Sequence, residues 1–178
     1  MLEQETEYGT EDQVSIIVFK VGGEEFAIDL MDVKEIIQTG QIRRLPKSYD
    51  FIEGIYNYRG NIIHIINLRK KLDLDKYKIY KEKDSSSLDG DSNKKFIIIL
   101  NIDNTDIGFY VKHIVNITRL NISRFVGLSP IVQTGIADTK YIKGIIKFKD
   151  RPRIFINLHK ILDDAEKSTI KKNQTSLI

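Results

Sequence analysis

The sequence predicts a mostly β protein made of two small β-barrels in tandem, and three observations support this prediction. The 178 residues include 31 isoleucines but only three alanines, and isoleucine favours strands whereas alanine favours helices. Short apolar runs bounded by glycine, proline or asparagine recur along the chain, as is typical of short strands. Finally, a stretch of the first half recurs in the second half.

The first predicted strands are residues 14–21 and 25–28. Gly22-Gly23 between them indicates a hairpin turn, because glycine adopts positive φ without steric cost. A short helix follows, for which Asp29 is the expected N-cap. The chain therefore opens with a hairpin and a single helical turn.

The first half continues with an extended segment at 36–42. Residues 51–58 and 62–67 predict a second hairpin around Arg59-Gly60-Asn61, where a glycine again suits the turn. Residues 68–72 then predict one helical turn. Each half thus contains about five short strands.

The internal repeat joins residues 51–74 to residues 141–164 without a gap, and nine of the 24 aligned positions are identical. A weaker similarity joins residues 16–19 to 96–99. Matched glycines and asparagines are not what an isoleucine-rich composition produces, so we interpret the halves as related β units. The identical positions of the first copy are Ile52, Gly54, Ile55, Ile66, Asn67, Leu68, Lys70, Leu72 and Asp73.

The segment KEKDSSSLDGDSN between the halves has the composition of a linker. Small sheets are marginal in isolation, so we expect the two units to pack together as one domain. The expected boundaries are a disordered N-terminus at 1–13, a single domain at 14–165 with subdomains at 14–76 and 94–165 around a linker at 77–93, and a flexible tail at 166–178.

Motifs for catalysis or metal binding are not found in the sequence. Cysteine is absent, and none of the phosphate-binding, nucleophile or zinc motifs occurs. We expect His64 to be a structural or surface residue of a strand, His113 to lie in a short helical stretch, and His159 to lie in the last helix. We therefore predict a protein that is not an enzyme and that needs no cofactor or metal.

A cytoplasmic protein is expected, since the acidic N-terminus does not resemble a signal peptide and no apolar run is long enough for a membrane span. The net charge of +3 is small for a nucleic-acid binder. One alternative is a barrel that binds single-stranded nucleic acid through basic residues and neighbouring aromatics. The residues for this alternative are Arg43, Arg44, Lys47, Arg59, Arg69, Lys70 and Lys71 with Tyr49, Phe51, Tyr56 and Tyr58.

Residues 33–72, VKEIIQTGQIRRLPKSYDFIEGIYNYRGNIIHIINLRKKL, resemble the signature of the chemotaxis coupling protein family CheW. DIGFYVKHIVNI at 106–117 and TGIADTKYIKGI at 134–145 continue the resemblance. It implies two intertwined five-stranded SH3-like barrels with a hydrophobic seam between them. It also implies a free-standing, non-catalytic adaptor that couples the cytoplasmic tips of chemoreceptors to the regulatory domain of the histidine kinase CheA. An unassigned interaction adaptor is the alternative.

The resemblance also implies a receptor-binding groove near the junction of the barrels. Apolar members of this groove suit the apolar face of a receptor helix, and the opposite charges of Glu35 and Arg59 suit a pair across the barrel. Each of these residues can also be explained as a core or turn residue. The groove residues that the resemblance implies are Val33, Glu35, Gly54, Arg59, Gly108, Ile114 and Ile117.

The sequence departs from the family pattern at three places. Tyr58 stands where the family has leucine, which we interpret as an apolar replacement. Asn67 stands where the family often has aspartate, which removes a charge. The 77–93 linker is longer than usual, and we expect a flexible insertion.

Overall fold

The computed structural model describes residues 12–73, 95–127 and 140–176, whose strands form two sheets. The strands are β1 (Gln13–Val21), β2 (Glu24–Asp29), β3 (Glu35–Thr39), β4 (Ile52–Tyr58), β5 (Asn61–Asn67), β6 (Lys95–Ile102), β7 (Thr105–Val111), β8 (His113–Asn121), β9 (Phe125–Gly127), β10 (Ile142–Ile146) and β11 (Arg153–Ile156). The helices are α1 (Leu68–Lys71) and α2 (Asp164–Ser176), with 3₁₀ turns at Leu30–Asp32, Ile122–Arg124 and Leu158–Lys160. The predicted mostly β character is confirmed.

The two sheets have the same strand order. Sheet A runs β8-β1-β2-β11-β10-β9, and sheet B runs β3-β6-β7-β5-β4. In each sheet a central hairpin pairs through its second strand with a parallel strand, β2 with β11 and β7 with β5. In sheet B a bridge between Arg43 and Ile55 takes the place that the pairing of β9 with β10 has in sheet A.

Each sheet takes strands from both halves of the chain. The β1–β2 hairpin of the first half completes the sheet of β8–β11, and the β6–β7 hairpin of the second half completes the sheet of β3–β5. Neither half therefore forms its sheet alone, which is the intertwined arrangement that the resemblance implies. The expected linker at 77–93 and nearly all of the expected disordered N-terminus at 1–13 lie outside the described residues.

The apolar side chains form three clusters, and alternation along β1 connects two of them. Ile16 and Val18 face a cluster inside sheet A, whereas Ile17 and Phe19 face a larger cluster that joins residues of both sheets, the seam cluster. A third cluster lies inside sheet B around Ile63. Each fully buried side chain of this size contributes about 1.5–3 kcal/mol, so the seam holds the two sheets together.

The helix α2 corrects the expectation of a flexible tail from residue 166. Glu166, Ile170 and Gln174 follow one another at four-residue spacing and form one face of the helix, with Ile170 fully buried in the seam cluster. Glu166 accepts a hydrogen bond from Lys71 at 2.7 Å. One apolar contact and two polar contacts on this face thus hold α2 against the rest of the protein.

His64 has the structural role that was expected, because it is fully buried in β5 under α2. Its backbone N–H and its ring Nδ1 lie 3.0 and 2.9 Å from Oε1 of Gln174. Since the amide oxygen only accepts, Nδ1 carries the proton. His159 lies in a 3₁₀ turn, but the expected helical stretch at His113 is wrong, because this residue begins β8 and pairs with Lys20.

The pKa of His64 is lowered because burial disfavours the imidazolium, an effect that the bond to Gln174 only partly offsets. An unfolded histidine titrates near pH ~6.5, so below this pH the unfolded state binds the proton before the folded state does. We expect the free energy of unfolding to fall as the pH drops from neutral through this value, with a slope from this group of at most ~1.4 kcal/mol per pH unit. Urea unfolding at several pH values measures it.

The control for this pH dependence is a pair of variants. His64→Leu is expected to lose the contribution of this group, whereas His159→Gln, at a partly exposed position, is expected to keep it. The same pH dependence in wild type and His64→Leu would contradict the prediction.

Candidate functional site

A cluster of charged and aromatic side chains lies where β3 begins and β4 ends. Tyr58 donates a hydrogen bond from its hydroxyl to Oε2 of Glu35, and Nη2 of Arg59 lies 3.0 Å from the same oxygen. Arg59 and Gly60 form the turn between β4 and β5 with φ values of 50° and 85°. The predicted pair between Glu35 and Arg59 is therefore present in the structure.

A second ion pair extends this cluster along β3. Lys34 donates to Oδ2 of Asp106 at 2.8 Å, and Nδ2 of Asn101 donates to Oδ1 of the same carboxylate at 2.9 Å. The pKa of Lys34 is raised mainly because of its hydrogen bond to Asp106. We call Lys34, Glu35, Tyr58, Arg59 and Asp106 the Glu35 cluster.

The exposure of the two side chains determines how much the ion pair between Arg59 and Glu35 contributes to stability. The side chain of Arg59 is 73% exposed and that of Glu35 is 32% exposed. Ion pairs at such positions contribute only about 0–1 kcal/mol to stability. Because most of the guanidinium faces solvent, its remaining N–H groups are accessible to another molecule.

The apolar residues of the expected groove lie beside the seam. Val33 and Ile114 are half-buried and pack against the seam cluster. Ile117 is 53% exposed on β8, which is the edge strand of sheet A, and its neighbour Val115 is also exposed. The two apolar positions at the seam and the exposed edge of β8 form the apolar part of the expected site.

The two glycines of the expected groove are buried among neighbouring strands. A Cβ at Gly54 would lie 2.2 Å from the carbonyl oxygen of Arg43, and a Cβ at Gly108 would lie 2.6 Å from Cδ1 of Ile65 and 2.7 Å from Cγ2 of Ile97. Both glycines therefore permit close approach within sheet B. Any effect that they have on a partner is indirect, through the strands that they hold together.

The structure explains why the repeat has a glycine at the equivalent positions 54 and 144. Each lies at a bulge in the first strand of its hairpin, and a Cβ at Gly144 would lie 2.3 Å from the carbonyl oxygen of Val126. The same close approach thus occurs in both sheets. Asn67 and Asn157 also match, since both cap the helical turn that follows their strand.

Asn67 explains one departure from the family pattern. Its Oδ1 accepts from the backbone N–H of Lys70 at 3.2 Å, and its Nδ2 donates to Oε2 of Glu53 at 3.0 Å. Lys95 approaches the other oxygen of Glu53 at 2.5 Å. An aspartate at position 67 would lack the donor and would place a second carboxylate beside Glu53.

Tyr58 corrects one interpretation of the sequence. It is more than an apolar replacement for leucine, because its hydroxyl binds Glu35 while its ring is buried in the interior of sheet B. Sequence reasoning also missed Lys34 and Asp106. A signal existed for Lys34, which precedes Glu35 directly, but the 72-residue separation between Lys34 and Asp106 hid their pairing.

The far edge of sheet A carries a second apolar surface. Ile122, Val126 and Ile145 are exposed there, beside a cavity of about 240 Å³ whose lining includes Phe125 and Phe155. Apolar side chains are thus exposed at both edges of this sheet. Such surfaces are typical of proteins that bind other proteins.

The nucleic-acid alternative finds no support in the aromatic residues. Tyr58 is buried, and Tyr56 packs against the interior cluster of sheet B. Tyr49 and Phe51 stack on one another with centroids 5.1 Å apart, and Phe51 packs against the seam cluster. Only Tyr49 of the four is exposed, and one face of its ring is covered by Phe51.

The fold and the site together define a protein-interaction module, in which two β units share a seam and present apolar strand edges beside a charged cluster. Within residues 12–73, 95–127 and 140–176, no helix is long and apolar enough to cross a membrane. Comparison with known proteins then gives the family. Residues 15–166 match the CheW-like domain, and the chain belongs to the CheW-like family.

Individual relatives agree with this assignment. The chemotaxis protein CheW of Treponema pallidum is 30% identical over 156 residues, which cover 88% of this chain and 86% of the relative. CheW of Bacillus subtilis is 28% identical over 160 residues, with 89% and 93% covered. The crystal structure of the scaffolding protein TtCheW from Thermoanaerobacter tengcongensis matches with a TM-score of 0.68 and 30% identity, covering 87% of this chain and 96% of that chain.

These matches confirm the family resemblance and the predicted tandem SH3-like barrels. They also confirm that the chain is a chemotaxis adaptor and not an enzyme, because the family is a non-catalytic scaffold.

Proposed function

We propose that this protein couples the cytoplasmic tips of chemoreceptors to the regulatory domain of the histidine kinase CheA. It would act in the cytoplasm, at the membrane-associated receptor array, without inserting into the membrane. Membership of the CheW-like family and the likeness to a scaffolding protein support this proposal. The single observation that carries it is the Arg59 guanidinium, which Glu35 holds in place while most of it stays exposed.

The proposed receptor site combines an apolar and a charged part. The half-buried Val33 and Ile114 and the exposed Ile117 suit the apolar face of a helix, which binds to such surfaces through residues spaced three and four apart. The Arg59–Glu35 pair adds charge that orients the helix. Gly54 and Gly108 support the site by letting the strands of sheet B approach closely.

The test uses the purified protein with a chemoreceptor cytoplasmic fragment and a CheA regulatory domain. Pull-down should recover both partners, and calorimetry should show that either one binds when the other is already present. Competition between the two partners would contradict the coupling role. Binding to neither would overturn the proposed function and leave an interaction adaptor with other partners.

A further inference from the structure

The two sheets provide an internal comparison for the Glu35 cluster. The 90-residue repeat sets Tyr58 against Phe148 and Arg59 against Lys149. The fold therefore forms both hairpins, one with a hydroxyl at this position and one without it. In sheet A the counterpart of Tyr58 is Phe148, whose ring packs against the apolar cluster inside that sheet.

Strand pairing extends this comparison to Glu35. Glu35 of β3 pairs with Ile99, and Asn116 of β8 pairs with Val18. Ile99 and Val18 each lie three residues before the end of their strand, so Glu35 and Asn116 are equivalent in the structure. This equivalence differs by one residue from the weak sequence similarity of 16–19 to 96–99, which sets Ile99 against Phe19.

At these three positions sheet B thus carries a hydroxyl, a carboxylate and a guanidinium, and sheet A a phenyl ring, an amide and an ammonium. Sheet A has a different ion pair beside its phenyl ring, because Arg153 lies over Phe148 and pairs with Glu25. The hydroxyl bound to a carboxylate is therefore particular to sheet B.

The geometry shows what the hydroxyl does. Tyr58 is 5% exposed, so its buried ring fixes the direction in which the hydroxyl donates. Oε2 of Glu35 accepts from this hydroxyl and from Arg59, whose guanidinium also lies 5.4 Å above the Tyr58 ring. The pKa of Tyr58 is raised, mainly because the hydroxyl donates to Glu35 and also because of burial, so the hydroxyl keeps its proton.

We propose that Tyr58 is a positioning residue for partner recognition, whose hydroxyl fixes the Glu35 carboxylate and, through it, holds the Arg59 guanidinium ready for an acidic side chain of the partner. The planar guanidinium matches a carboxylate through paired N–H groups, which requires a defined orientation. The identity of that partner as a chemoreceptor helix rests on the proposed function.

Without the Tyr58 hydroxyl, the Arg59 side chain should be more mobile in the free protein. Ordering this side chain on binding should then lower the affinity for the receptor fragment. Ordering one long side chain on binding costs about 0.5–1.5 kcal/mol. Tyr58→Phe should therefore weaken binding to the receptor fragment by ~3- to 10-fold, because ~1.4 kcal/mol corresponds to tenfold. Affinity for the CheA regulatory domain should stay unchanged, and the melting temperature should fall by no more than a few degrees.

The experiment measures receptor and kinase binding by calorimetry for wild type, Tyr58→Phe and a matched control, Phe148→Tyr. The control adds a hydroxyl at the repeat counterpart of Tyr58, which lies in the other hairpin and away from Arg59, and it should leave receptor binding unchanged. In a Glu35→Ala background, Tyr58→Phe should have no further effect. Unchanged receptor binding by Tyr58→Phe, or an equal loss in the Glu35→Ala background, would overturn the proposal.

A second measurement needs no partner. NMR relaxation of the Arg59 side chain should show a restricted guanidinium in the free wild type and a mobile one in both Tyr58→Phe and Glu35→Ala. If Arg59 is as mobile in wild type as in the variants, the positioning role is wrong whatever the protein binds. If Arg59 is restricted only in wild type but no receptor binds, the positioning role stands and the proposed function fails.

Discussion

Replacing Gly54 with alanine is expected to lower the free energy of unfolding by about 2–4 kcal/mol. The new methyl group would overlap the carbonyl of Arg43, which accepts from the backbone N–H of Ile55 at 2.7 Å. Backbone cannot move aside as a flexible side chain does, so the bridge between Arg43 and Ile55 must open. Urea unfolding followed by circular dichroism measures the loss.

The matched control is Gly127→Ala, at the edge of the other sheet. A Cβ at Gly127 meets nothing within 4 Å, so this variant should change stability by less than about 1 kcal/mol. Equal unfolding midpoints for Gly54→Ala and Gly127→Ala would show that the close approach of Gly54 to the carbonyl of Arg43 does not affect stability. Any loss of receptor binding by the folded fraction of Gly54→Ala should be indirect, since Gly54 is buried and supports the proposed site through the strands around it.

Replacing Arg59 with glutamate is expected to weaken receptor binding by about 1–3 kcal/mol, which is roughly fivefold to 150-fold. The variant loses the exposed guanidinium and places a second carboxylate beside Glu35, so the charge presented to the partner is reversed. Fold stability should change by no more than ~1 kcal/mol because this pair is largely exposed. Calorimetry against the receptor fragment measures the loss.

Lys149→Glu is the control for this charge reversal, because Lys149 is the repeat counterpart of Arg59 and is also exposed. It changes the net charge equally but lies in the other hairpin, so receptor binding should remain close to wild type. Similar losses in the two variants would mean that net charge, and not the Glu35 cluster, governs binding. Full receptor binding by a folded Arg59→Glu variant would remove Arg59 from the proposed site.

The elements that the sequence predicted well are those that local chemistry determines. The turn at Gly22-Gly23 has positive φ at both glycines, and Asp29 accepts from the backbone N–H of Met31 as a cap does. Asn67 caps its helical turn in the same way. In each case the residues that decide the structure lie within a few positions of one another, so a single segment contains the whole signal.

The features that the sequence did not reveal depend on contacts between distant segments. The helix α2 has one apolar anchor, Ile170, so its pattern did not predict an amphipathic helix. The hydrogen bond from Tyr58 to Glu35 spans 23 residues, and nothing local distinguishes a tyrosine that donates from one that only fills space. The family resemblance predicted the pair between Glu35 and Arg59. It could not predict the hydrogen bond from Tyr58 to Glu35, because the family has leucine at this position.

The exchange of hairpins between the sheets has a consequence for synthesis on the ribosome. When residues 12–73 have emerged, β1–β2 and β4–β5 can form hairpins, but β3 has no strand to pair with until β6 is made. Sheet A waits longer still, because β1 pairs with β8 across roughly a hundred residues of chain. The nascent protein therefore carries open strand edges until late in translation: sheet B has all of its strands once β7 is made, whereas sheet A lacks its last strand until β11 is made.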